Sequence, residues 1–326
     1  MMRKTEGRVG GKSTLKHFIA GLVLGVVIGV AVGTVGTLGI WMALRAKETP
    51  FAGYSLPGAP FTEERLLADF LDEHPWEVGY CAMDLGTGKT AERFAERPVC
   101  LASIVKVFCL TELYRQQHEE GLDPDHVIEV HKHGAITLQA AADLMIGQSD
   151  NAATQALAEF LGRENVNRVP ALLGIHSMSA DILPEEGTLR QTLDTRIFGE
   201  RVAVDGLPQH GTARGIARYF ELLLKGEVIS PAVSGGLVDF FLKHPKPFSL
   251  QYAGQYDFAG KGGNILWTRP PKHYAMMGWG LFVTNSSGER IALCVWGEWF
   301  PEAMPPEQQS EFLKFVTDSL ITIVTS

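Results

Sequence analysis

At 326 residues, 45% hydrophobic and 20% charged, with a formal net charge of -8, the chain has the make-up of one ordinary globular domain plus an extra segment. The acidic balance of the main part excludes nucleic acid as a partner. Four cysteines, Cys81, Cys100, Cys109 and Cys294, lack metal-ligand spacing, which excludes a cysteine metal site.

The extra segment is N-terminal. From Phe18 to Leu44 no residue is charged, a run longer than the ~20 residues that a bilayer core requires. It is too long for the apolar region of a cleaved signal, and Met42-Ala-Leu-Arg45 is a poor small-residue cleavage site, so an uncleaved signal anchor is expected. Arg3, Lys4, Arg8, Lys12 and Lys16 precede the run, against Arg45 and Lys47 after it, which predicts a cytoplasmic N-terminus and an extracytoplasmic remainder. Gly21, Gly25, Gly29 and Gly33 fall on one face of that span, a pattern that suits self-association and equally suits the general abundance of glycine in membrane helices. Gly7 to Ser13 imitates a phosphate loop, but Glu6 stands where the first glycine is needed and no strand precedes it, so nucleotide binding is rejected.

Ala46 to Pro60, rich in Gly and Pro, reads as a tether. Phe61 to Glu73 predicts an amphipathic helix opened by Thr62 as N-cap. Val78 to Leu85 predicts a strand ended by Gly86-Thr-Gly88, with a second strand returning through Ala91 to Phe94. Pro98 to Tyr114 is apolar on almost every side, a buried helix whose inner run holds a single charge, Lys106. An ammonium there costs several kcal/mol of desolvation unless it is partnered or loses its proton, and three-residue spacing places Ser103 one turn away. A hydroxyl beside such an amine can become a nucleophile. The pattern alone is weak: roughly one Ser-x-x-Lys per chain of this length arises by accident, and Ser13-Thr-Leu-Lys16 is one.

Helical periodicity follows from Ile136 to Leu161, broken near Gly147, where Ser149-Asp150-Asn151 leads into a further helix. Ser177 to Leu207 reads as a long structured loop and Thr212 to Leu224 as another helix. Strands are expected over Gln255 to Gly260, Ala275 to Thr284 and Arg290 to Trp296, with a turn at Asn285-Ser-Ser-Gly288, before a closing helix from Glu307 to Val324. This order predicts an α+β fold: an antiparallel five-stranded sheet flanked by helices, with an all-helical lobe inserted between its halves. Cys81 and Cys294 lie in predicted central strands and are the pair to test for a disulfide; buried thiols are the simpler reading. His131-Lys-His133 has no third ligand placed near it and reads as a surface strand; Trp279, Trp296 and Trp299 read as sheet core and rim.

Three sites line up in order: Ser103-x-x-Lys106, Ser149-Asp-Asn151 and Lys261-Gly-Gly263 after Asp257-Phe-Ala-Gly260. The combination resembles the class A serine β-lactamases and the related penicillin-binding peptidases, and Leu144 to Thr154 resembles that family's central segment closely. The resemblance implies a membrane-anchored serine hydrolase of a bacterium, on the cell-surface or periplasmic side, acting on a β-lactam or a peptidoglycan peptide without metal or cofactor. Residues 1–48 would be tail and anchor, 49–60 linker and 61–326 the catalytic domain. Ser103 would be acylated and Lys106 would hold or remove its proton. Ser149, with Lys261, would pass a proton to the departing nitrogen, and Asn151 would bind the substrate's side-chain carbonyl. Backbone amides of Ser103 and Asn264, beside Gly263, would form an oxyanion hole.

The departures are informative. Gly262 stands where the family carries Thr or Ser, and Arg269 is the candidate to compensate. The stretch between the serine helix and Ser149 is short for the family, so one cleft wall is expected to be reduced. For the water-activating acid that clears the acyl group, Glu185 and Glu186 after Pro184 are at the family's place, Asp194 and Glu200 are substitutes, and four solvated loop charges are the plain alternative. Beside the β-lactamase reading stand a slow D-alanyl-D-alanine peptidase of the penicillin-binding type and a non-catalytic muropeptide-binding or β-lactam-binding module.

Overall fold

The chain divides into two units, Met1–Tyr54 and Ser55–Ser326. The computed structural model describes residues 56–74, 77–176, 178–180, 209–267, 274–299 and 306–326, all within the second unit. The expected anchor at Phe18 to Leu44 lies outside the described residues, and among those described no helix is long and apolar enough to cross a membrane.

The elements run α1 (Glu64–Asp72), β1 (Glu77–Asp84), β2 (Thr90–Arg93), β3 (Val99–Cys100), a 3-10 turn (Ala102–Val105), α2 (Lys106–Glu119), β4 (Val127–Val130), β5 (Gly134–Thr137), α3 (Leu138–Asp143), a π turn (Leu144–Gln148), α4 (Asn151–Leu161), α5 (Arg163–Leu172), β6 (His210–Gly211), α6 (Ala213–Lys225), α7 (Pro231–Leu242), β7 (Asp257–Trp267), β8 (Tyr274–Thr284), β9 (Arg290–Trp299) and α8 (Pro306–Thr325). Five strands form one antiparallel sheet in the order β2-β1-β9-β8-β7, so the N-terminal hairpin closes one edge and β7 forms the other. The helical lobe is inserted between the two halves of that sheet, as its order in the sequence predicts.

Burial explains the layering. On one side α1 and α8 meet through Phe61, Phe70, Phe312 and Phe315, with ring centroids 5.3 to 6.1 Å apart. On the other, α6 presses so closely on the sheet that a Cβ at Gly280 would come within 2.1 Å of Ile216, which explains a glycine in mid-strand. Through the middle runs α2, with Val107, Phe108, Leu110 and Leu113 fully buried, and Phe108 packs edge-on against Tyr219. Burial of aliphatic and aromatic side chains of this kind contributes about 1.5 to 3 kcal/mol each before conformational entropy is set against it.

Several local expectations change. The N-cap of α1 is Glu63 and makes no side-chain cap; Thr62 sits one position outside it. Pro98 to Tyr114 is not one helix, because Val99–Cys100 pairs with β6 and leaves only a 3-10 turn before Lys106. His131 to His133 is the turn of the β4–β5 hairpin, with Lys132 at φ +71°. Cys81 and Cys294 face each other in register across β1 and β9, yet all four cysteines are free and buried. Burial pushes Cys100 and Cys109 up to about 12, so both stay as inert thiols.

Candidate active site

From Val99 to Leu113 every residue is buried except Ser103, which is half-buried. The apolar run therefore opens to solvent at one hydroxyl. Its backbone is held from both sides. The preceding residue, Ala102, is at φ +47°, a conformation costing about 1 to 3 kcal/mol for a non-glycine residue and maintained only by its surroundings. The Leu101 amide donates to the Gln209 carbonyl at 2.8 Å, and Ile104 N closes the turn on Leu101 O at 3.0 Å.

The second wall is the break in the helical lobe. Leu144–Gln148 winds as a π turn, and Ser149 closes it in the left-handed region at φ 60°, ψ 30°. Asp150 then caps α4, its Oδ1 accepting from Ala153 N at 2.7 Å. Burial pushes the Asp150 carboxyl upward, but the Ala153 amide and His133 outweigh it and hold it below the usual range. His133, one of the two histidines of the hairpin turn, lies 3.1 Å from Asp150 Oδ2, a supporting contact that its sequence position did not announce.

Lys106, only 4% exposed, reaches this wall. Its Nζ donates to Ser149 O at 2.6 Å, Asn151 Oδ1 at 2.7 Å and Ser149 Oγ at 3.2 Å. The oxygen acceptors offset the desolvation that a lone ammonium in this core would suffer. With Asn151 Oδ1 accepting from Lys106 and the residue exposed, its amide nitrogen is the group that could donate to a ligand.

The third wall is β7. Lys261, 3% exposed, donates to Ser149 Oγ at 2.9 Å and to Gly262 O at 2.7 Å. Burial first, then the charges of Lys106 and Lys246, push its amine down to about 7. Ser149 Oγ thus takes a proton donor from each of two amines. A hydroxyl has two lone pairs and one proton, so with both lone pairs occupied the O–H is left to donate into the cleft. Gly263 lies against the Ser103 turn: a Cβ there would fall 2.6 Å from Leu101 O and 3.0 Å from the amide nitrogens of Ser103 and Ile104. Only glycine lets the strand approach that closely. Asn264 follows on the exposed edge, and a Cβ at Gly262 would make only ordinary contacts, with Gly278 O at 3.7 Å and Phe248 at 3.8 Å.

The structure brings Lys106, Ser149, Asn151 and Lys261 into one hydrogen-bonded cluster, with Gly263 of the Lys261 strand against the Ser103 backbone. Glu185, Glu186, Asp194, Glu200 and Arg269 lie outside the described residues. Ser179 N donates to His210 O at 2.8 Å and Gln209 O accepts from Leu101, so residues just before and just after 181–208 meet beside the Ser103 turn. Among the described residues no group of three His, Cys, Asp or Glu side chains is placed to hold a metal. Sequence reasoning missed Lys246, whose Nζ donates to Gly147 O at 2.5 Å; its signal was a lysine held between Pro245 and Pro247.

Among solved structures, a β-lactamase from Sphaerobacter thermophilus matches 80% of this chain and 97% of its own at 18% identity, TM-score 0.63. A class A β-lactamase from Mycobacterium abscessus covers 79% and 97% at 17% identity, TM-score 0.62. PBP-A covers 82% and 98% at 15% identity, TM-score 0.63. No curated protein matches. These identities establish the fold, and the sequence profile of the Beta-lactamase enzyme family adds the lineage by matching residues 63–265, more than half of the chain. The chain belongs to the Beta-lactamase enzyme family.

Proposed function

We propose that this protein opens β-lactam rings through an acyl-enzyme on Ser103, on the extracytoplasmic face of the membrane to which residues 18–44 anchor it. The observation that carries the reading is Ser149 Oγ held between Lys106 and Lys261 at 3.2 and 2.9 Å, with a half-buried serine three residues before Lys106 whose amide lies against Gly263 of the Lys261 strand. In the first step Ser103 Oγ attacks the lactam carbonyl, its proton passes into the Lys106–Ser149–Lys261 relay, where Lys261 near 7 supplies the neutral amine, and the carbonyl oxygen becomes an anion near the Ser103 amide. The ring C–N bond then breaks as Ser149 donates its proton to the nitrogen and is re-protonated from the lysine pair. With Lys261 near 7, that pair can both give and take a proton at neutral pH.

A slower, penicillin-binding reading is favoured by one feature. Gly262 puts no hydroxyl beside Lys261, which weakens the hold on a substrate carboxylate. A point mutant of PBP-A, similar to this chain at TM-score 0.60, is known as an acyl-enzyme complex with penicillin G.

A fluorescent penicillin separates the readings. Rapid label uptake followed by release supports the lactamase, and a long-lived adduct supports the penicillin-binding peptidase. Absence of any adduct overturns both and leaves a binding module.

A further inference from the structure

Ser149 is a non-glycine residue in the left-handed region, preceded by a π turn, and such a conformation persists only where neighbours over-determine it. From inside the core, Lys106 grips the Ser149 carbonyl. From outside, the connector between α7 and β7 supplies the other grip. Lys246 N donates to Phe258 O at 3.3 Å, three residues ahead of Lys261 on β7, while Lys246 Nζ donates to Gly147 O at 2.5 Å, two residues ahead of Ser149. One residue is thus bonded by its main chain to the strand wall and by its side chain to the helical wall.

The connector is built to be stiff. Pro245 and Pro247 flank Lys246; the first fixes its own φ and the second confines Lys246 to extended backbone. Phe248 packs on Trp279 with centroids 5.2 Å apart, and Leu250 N and Gln251 N both donate to Asp318 on α8 at 3.0 Å. Beside Lys246, His244 Nε2 lies 2.9 Å from Asp143 Oδ1 at the head of the π turn, and a Cβ on Gly147 would meet His244 Nδ1 at 3.1 Å. The Gly147 carbonyl, at a helix end, is an acceptor that the helix itself leaves open.

We propose that Lys246 is a positioning residue: it fixes the gap between the Lys261 strand and the Ser149 turn, and so aims the Ser149 hydroxyl. This rests on the acyl-transfer reading given above. It assigns Lys246 no contact with the substrate.

The test compares the full chain with Lys246→Met and Lys246→Arg, measuring penicillin acylation over a range of label concentrations, so that the first-order step and the binding constant separate. Lys246→Met is expected to slow the first-order step by about ten- to a hundredfold, the scale of a 1 Å misplacement, with binding altered by less than about threefold. Hydrogen exchange at the Asp150 amide, which donates to Leu144 O at 3.1 Å, should quicken while the melting temperature moves by less than about 2 °C. Lys246→Arg, which keeps charge and donor, should recover most of the rate. Unchanged exchange, unchanged acylation, or a loss confined to the binding constant would each overturn the proposal, the last by making Lys246 a substrate anchor. If the wild-type protein takes no label at Ser103, the functional reading falls, and the exchange measurement still decides: quickened exchange in Lys246→Met supports the strut and unchanged exchange refutes it.

Discussion

The two walls of the cleft are held by opposite means. On the helical wall, Ser149 and Asn151 are fixed by hydrogen bonds from the buried Lys106 side chain, around a turn in a strained conformation. On the strand wall, Lys261 reaches across to Ser149, but Gly262 and Gly263 bring no side chains, and position there comes from a backbone pressed against the Ser103 turn. On the proposed reading, the groups that would handle protons are in place before any ligand arrives, whereas those that would anchor a substrate are comparatively bare. Catalysis by positioned acids and bases would require the first, and affinity would suffer from the second.

The comparison breaks most severely at its shared focus. Ser103→Ala should abolish labelling by penicillin while leaving the melting temperature within about 2 °C, because a half-buried hydroxyl contributes little to packing. On the strand wall, Gly263→Ala should cost about 1 to 3 kcal/mol in urea unfolding and slow acylation about a hundredfold, since the new methyl must push β7 off Leu101 O.

Lys261→Met separates chemistry from stability. The folded protein holds this amine near 7 against an ordinary 10.5, so below about 7 both folded and unfolded states are protonated and the folded state bears the full burial penalty. Between those values the unfolded chain binds more protons, and wild-type stability rises with pH. The methionine variant should therefore be more stable than wild type by several kcal/mol at pH 6, with the advantage shrinking toward pH 10, while acylation falls about a hundredfold. Urea midpoints at three pH values check the sign; an advantage that grows with pH would contradict the buried-amine account. The smallest effect is expected at Gly262→Thr. A side chain there has ordinary contacts at 3.7 and 3.8 Å, so stability should change by less than about 1 kcal/mol, and the added hydroxyl should lower KM for a carboxylate-bearing β-lactam by up to about tenfold.

Much of this was legible in the chain because each motif carries its own physical signature. Lys106 stands alone in an apolar run, Ser149-Asp150-Asn151 interrupts a helical pattern, and Lys261-Gly-Gly263 sits in a strand that needs close approach. Order and type of the main elements follow from periodicity in the same way. What stayed hidden depends on contacts between distant segments. The pairing of Val99–Cys100 with His210–Gly211 turns a predicted helix start into a strand and a tight turn, and no local propensity announces it. The roles of His133 at Asp150 and Lys246 at Gly147 likewise exist only once hairpin and connector are folded against the lobe. Pro231–Leu242, with its mixed apolar surface, was missed because it lacks a clear polar face.

The proposed acyl-enzyme requires a covalent bond to one serine. Intact-protein mass measured after brief exposure to penicillin should show the addition of one ligand mass to wild type, carried on the peptide containing Ser103, and none to Ser103→Ala. A wild-type mass that never changes, or the same addition to the alanine variant, would contradict it.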